Sequence, residues 1–125
     1  MNGFTFDAGG LIALDRNSRT VIALIERASQ RNMRITVPTT ALAQAIRNPA
    51  KQFRLVRLIR QIDTDLRPLD GPDATAVGRL LASTGTSDIA DAHVAICANR
   101  AGQCVVTSDP DDLRRIAPDL RVVTA

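Results

Sequence analysis

Short runs of β-branched and aromatic residues alternate along the chain with stretches whose apolar positions recur at helical spacing. The first run, Phe4-Thr5-Phe6-Asp7, predicts a buried strand over residues 3–7. A short helix follows from Ala8 to Leu14, and its Gly9 and Gly10 allow the backbone to pack closely beside the strand end. Ser18 can cap a second helix running to about Arg31, with Val21, Ile22, Leu24 and Ile25 apolar. Arg34 to Val37 predicts a strand stopped by Pro38. Thr39 or Thr40 can then cap a helix through Arg47, with Pro49 in the first turn of the next, about 50–61. That helix is amphipathic: Leu55, Leu58, Ile59 and Ile62 share one side, and Arg54, Arg57 and Arg60 spread over the other. Ile62 to Leu69 predicts a third strand with acidic edges. Pro72 opens a helix through Ala82, and another runs from Ser87 or Asp88 to about Arg100, closed by Gly102. Cys104 to Thr107 is a fourth strand, Pro110 to about Ile116 a short helix, and Arg121 to Val123 a terminal strand. Strands that alternate with helices argue a parallel sheet joined by right-handed crossovers, an α/β fold.

At 125 residues and 45% apolar content, with no linker or repeat, the chain is expected to form one domain, 1–125. No apolar run approaches the roughly 20 residues of a membrane span. The start lacks the basic and long apolar regions of a secretory signal, so a cytoplasmic protein is expected. Cys97 and Cys104 read as reduced, buried thiols, and a single histidine argues against a zinc site built on His and Cys. The net charge of +3 is almost all arginine, Lys51 being the only lysine. Arginine suits phosphate contacts, so Arg54 and Arg57 are candidate RNA contacts, beside the plainer reading of a solvated face. With three Phe, no Tyr and no Trp, stacking on aromatics is not the mode by which this chain would hold RNA.

Four aspartates stand out against this frame. Asp7 closes the first strand, Asp109 follows the fourth, and Asp88 and Asp91 sit three apart where the preceding helix begins. In open parallel sheets, ligands collect beyond the carboxyl ends of the strands. Each acid taken singly has a plain role as a helix cap or turn residue. Together they converge from distant parts of the chain, with few basic neighbours, and a divalent cation is the usual relief for their repulsion. The i,i+3 spacing puts Asp88 and Asp91 on one helix face and turns Ile89, Ala92 and Ile96 toward the core. His93 points away from that face by about 200° at roughly 100° per residue, and reads as packing or surface rather than as a general base. Oxygen-only ligands select Mg²⁺ or Mn²⁺, which points to metal-assisted phosphate chemistry.

The segments Phe4–Leu14, Thr86–Ala95 (TSDIADAHVA) and Val105–Leu113 (VVTSDPDDL) together resemble the PIN-domain nucleases, and in size and motif order the chain resembles VapC-type toxins of bacterial toxin–antitoxin pairs. The resemblance implies a three-layer α/β/α sandwich with a central parallel sheet of about five strands. It implies a Mg²⁺- or Mn²⁺-dependent endoribonuclease that hydrolyses RNA with a metal-activated water. It also implies a homodimer, inhibited by a small antitoxin. Asp7, Asp91 and Asp109 match the family acids, and Asp88 fits an additional acid one helical turn earlier. Thr107 and Ser108 would orient water or phosphate. One departure is clear: the helix after Pro38 normally offers a glutamate, and here it offers Gln44, while the only glutamate, Glu26, lies on another helix. Glutamine accepts a hydrogen bond but carries no charge. A weakened module that binds RNA or antitoxin without cutting is therefore the alternative reading. A signalling receiver lacks its acidic pair and late lysine here, and a nucleotide binder its Gly-rich phosphate loop.

Overall fold

The computed structural model describes residues 2–125. Its elements run β1 (Gly3–Phe6), α1 (Ala8–Asp15), α2 (Arg19–Gln30), β2 (Arg34–Pro38), α3 (Thr39–Ala45) and α4 (Phe53–Arg60). Then come β3 (Thr64–Arg67), α5 (Gly71–Thr84), α6 (Ile89–Ala101), β4 (Cys104–Thr107), α7 (Pro110–Ile116) and β5 (Val122–Thr124). The strands form one sheet in the order β3-β2-β1-β4-β5, every pair parallel. Parallel strands joined by helices are covered on both faces, which is why β1, β2 and β4 are buried at successive positions, Thr5, Thr36 and Thr107 included, rather than at alternate ones. Phe4, Phe6, Val37, Val105 and Val106 from the sheet meet Leu11, Leu55, Leu58, Val94 and Leu113 from the helices in the core.

The strand order explains where a site can form. After β1 the chain builds outward through β2 and β3, then returns to lay β4 on the other side of β1. The two sequential halves diverge at β1 and β4, and connections leaving in opposite directions open a crevice beyond those strand ends. Phe6 pairs with Val106, so the residues after them, Asp7 and Thr107, emerge side by side. The close approach predicted for the double glycine is seen here. A Cβ on Gly10 would lie 2.5 Å from the Val106 carbonyl oxygen, and one on Gly9 would collide with the Ser108 hydroxyl.

Several local expectations are revised. Neither Thr39 nor Thr40 caps α3; Pro38 holds that position without a side-chain bond, and it is still paired in β2 opposite Arg67. The helix expected from residue 50 begins at Phe53. Gln52 holds a turn ahead of it, accepting from the Arg47 and Asn48 amides at 2.7 and 2.9 Å and donating to the Ala45 carbonyl at 3.0 Å. Ile62 belongs neither to the apolar face of α4 nor to a strand, because the chain turns there and leaves it 92% exposed. Ile89 is also turned outward, at 51% exposure, since the first turn of α6 stands beyond the core that covers Ala92.

Gly10→Ala tests the strand–helix contact. Alanine is the better helix former by about 1 kcal/mol, yet its methyl must displace the central β4 ladder. We expect a net loss of about 1–3 kcal/mol, read as a lower urea midpoint with unchanged slope.

Candidate functional site

Asp7 is anchored from both sides. Its amide donates to the Val106 carbonyl at 3.2 Å, and its Oδ1 caps α1 by accepting from the Gly10 amide at 2.8 Å. The capping role thus takes one carboxylate oxygen and aims the rest of the group at the end of β4. Thr107, fully buried at that end, accepts from the Asp109 amide at 3.0 Å and stands beside the Asp7 carboxylate. Asp109 precedes α7 but makes no capping bond, so its carboxylate is not spent on the helix. Asp88 caps α6 by accepting from the Asp91 amide at 2.9 Å, and this bond sets the first turn that carries Asp91.

These carboxylates feel one another. Burial pushes the Asp91 pKa up to about 6, with the charges of Asp88, Asp7 and Asp112 adding to the shift. Asp7 is also raised, by burial first and by Asp109 in addition, while the Thr107 hydroxyl and the Gly10 amide work the other way. Asp112 is raised by the Asp109 carboxyl beside it. It was not singled out from the sequence as part of the cluster. Its place three residues after Asp109, at the start of a helix, is the signal that could have found it. Among the described residues, none of Asp7, Asp88, Asp91 and Asp109 has a basic partner, whereas Asp112 lies 3.6 Å from Arg115.

The set suits a hard cation by charge and donor type. It is not a tight cage. Among the described residues, only Asp73, His93 and Cys97 bring ligand-type atoms all within 4.8 Å of one another. An ion that keeps several waters fits the wider acidic set. The Asp73 cluster, by contrast, is already neutralised. Both Asp73 oxygens are taken, by Arg100 at 2.7 Å and His93 at 3.1 Å, and burial raises the Cys97 thiol to about 11, disfavouring the thiolate a metal needs. His93 is wholly buried there, in line with the packing role expected of it.

Other expected residues are more scattered. Gln44 is exposed on α3 and shares a groove with Asp88 rather than with Asp7. Ser108 is exposed against Gly9. Arg54 and Arg57 line a separate groove between α2 and α4, with Ile22, Ile25 and Phe53, and none of Asp7, Asp88, Asp91 and Asp109 lines it. Arg54 lies 4.6 Å from the Phe53 ring.

No protein-family model and no curated protein sequence matches the chain. Solved structures do. A chain of VapBC2 from Rickettsia felis, bound to a DNA fragment from their promoter, superposes with a TM-score of 0.70 at 16% identity over 98% of both chains. The fold is PIN-like. A chain of DNA-bound VapBC from Salmonella typhimurium gives 0.68 at 23% identity, over 99% of this chain and 98% of that one. A chain of FitAcB from Neisseria gonorrhoeae gives 0.61 at 17% identity over 95% of both. The α/β architecture expected from the strand–helix alternation is therefore shared along almost the whole chain.

The raised acids make a pH prediction for ion-free protein. Asp91 binds its proton more tightly folded (about 6) than unfolded (3.8), so its stabilising contribution is full below the lower value and is lost as pH rises through the upper. Asp7 and Asp112 shift in the same direction. In EDTA, melting temperature should fall between pH 4 and pH 7. Asp73, lowered by Arg100, acts oppositely but only below that window. A melting temperature that stays level or rises across it would contradict the coupling.

Proposed function

We propose that the chain, as one domain over residues 1–125, is a Mg²⁺- or Mn²⁺-dependent endoribonuclease and the toxin of a toxin–antitoxin pair. The observation that carries the reading is the gathering of Asp7, Asp91 and Asp109 without a basic partner at the crevice between β1 and β4, where burial first and neighbouring carboxylates second raise Asp91 to about 6 and shift Asp7 the same way. Acids that strain against one another at a strand-end crevice are arranged for a cation rather than for one another.

In this reading Asp7, Asp91 and Asp109 hold the ion, and Asp88 and Asp112 accept from its waters. Such an ion makes a water a stronger nucleophile and offsets charge on a phosphodiester. Thr107 fixes the Asp7 carboxylate and the Asp109 backbone together, so the two strand-end ligands keep their spacing as charge changes. Gln44 is a neutral acceptor on the rim, which leaves Asp88 to supply charge that a glutamate would have given. The superposed chains come from VapBC and FitAB complexes, which supports a small antitoxin as protein partner. A homodimer and a cytoplasmic location complete the proposal; among the described residues, no helix is long and apolar enough to cross a membrane.

Purified protein with Mn²⁺ or Mg²⁺ should cut single-stranded RNA, and EDTA should stop it. Asp7→Asn and Asp91→Asn should each lower the rate by about a hundredfold or more while the circular dichroism spectrum is kept. Calorimetric titration with Mn²⁺ should show weaker binding to Asp7→Ala than to wild type. Residual cleavage equal in wild type and both Asn variants would favour the rival, a binder without catalysis.

A further inference from the structure

Beside the acids, α3 and the amino end of α6 enclose an open groove of about 530 Å³. Its apolar surface is Ala43, Ala90 and the outward-turned Ile89; its polar groups are Thr40, Gln44, Ser87 and Asp88. No cationic side chain lines it. Asp88 also belongs to the acidic cluster through its effect on Asp91, so the groove borders that cluster.

A chain of hydrogen bonds through the buried His93 sets the chemistry of the groove wall. The Thr40 hydroxyl lies 2.7 Å from His93 Nδ1, His93 Nε2 lies 3.1 Å from Asp73 Oδ2, and Arg100 donates to Asp73 Oδ1 at 2.7 Å. The guanidinium holds Asp73 ionised, and an ionised carboxylate only accepts. Nε2 therefore carries the ring hydrogen. Asp73 already pairs with the Arg100 guanidinium, and an imidazole whose one ring hydrogen sits on Nε2 offers a lone pair at Nδ1, to which Thr40 donates its single hydrogen. What the threonine oxygen can still offer the groove is an acceptor. The Asp88 carboxyl, whose Oδ1 takes the Asp91 amide, offers its other oxygen as an acceptor too. Thr40 and Asp88 as acceptors beside an apolar wall, with Gln44 and Ser87 able to donate or accept at its edge and no cation to hold a phosphate, match an N–H donor on a flat, apolar body. Unpaired bases are read in this way, by donors on their edges and contact with their faces.

We propose that this groove holds an unpaired RNA base bearing an exocyclic amino group, next to the phosphate to be cleaved. Thr40 reads the amino group, and His93 is the positioning residue that keeps Thr40 an acceptor. The inference rests on the RNA reading above and names the part of the substrate that selects the cut.

The test uses full-length wild type, Thr40→Val and Thr40→Ser with Mg²⁺. The probes are oligoribonucleotides in which one adenosine, cytidine or guanosine interrupts a uridine run, with the all-uridine strand as control. Binding is read by fluorescence anisotropy and cleavage by gel. Wild type should favour at least one amino-bearing strand by about tenfold, a difference of the size one good polar contact gives. Thr40→Val should lose that preference and Thr40→Ser keep it. Because Thr40→Val removes a partner from His93 and could fail to fold, purine riboside for adenosine and inosine for guanosine probe the same contact from the RNA side. Each should erase the preference shown by its parent base. A preference absent in wild type, or surviving both the valine and the amino-less base, overturns the groove assignment; accompanying cleavage then leaves the nuclease reading standing. Discriminating binding without cleavage keeps the groove and removes the nuclease. Neither binding nor cleavage of any strand overturns both.

Discussion

The pairing of β1 with β4 is the constraint on which the rest of the molecule depends. β1 is buried along its whole length, so it needs a strand on each side and a helical layer on each face. One neighbour is the strand that follows it; the other is built from residues 104–107, near the far end of the chain. Closing that long connection brings Asp7, Thr107 and Asp109 together. It also requires α1 to pass so close to β4 that only hydrogen fits at the α-carbon of Gly10. The backbone contact that lets the sheet close is therefore the contact that assembles the acids.

The protein handles buried carboxylates in two opposite ways. Asp73 is given a guanidinium and an imidazole, its pKa is lowered, and it bonds α5 to α6 and, through His93, to α3. Such a pair contributes specificity of packing more than net stability. Asp7 and Asp91 receive only backbone amides, a hydroxyl and other acids, and their pKa values rise. A fold able to compensate one acid so fully has the means to compensate others. Leaving the strand-end acids uncompensated costs stability at neutral pH, the kind of local cost that functional sites carry and the surrounding core offsets.

Much of this was legible in the residues, and the lapses have physical causes. Strand and helix positions followed from the period of apolar residues, and Ser18 and Gly102 mark helix ends as their chemistry predicts. Asp7 and Asp109 could be placed because each follows a strand end, and Asp91 because it lies one turn into the helix that Asp88 starts. Boundaries failed where a side chain made a tertiary choice. Gln52 folds back on Ala45 and delays α4, and Thr40 turns to His93 instead of capping α3. Asp112 escaped notice because a first-turn helix aspartate has an ordinary local role.

The sequence by itself determined the alternation that makes a parallel sheet, the close-packing glycines, and the four acids at strand and helix ends. Those are local matters, set by period, backbone freedom and capping chemistry. Only the tertiary structure decided which strands are neighbours, and hence which acids share a crevice. It alone decided that Asp73 is neutralised while Asp91 is raised to about 6. Charge and burial depend on partners brought from 20 or more residues away, as Arg100 and His93 are brought to Asp73. No local pattern encodes such a partner; the closure of the sheet and the packing of α5 on α6 do.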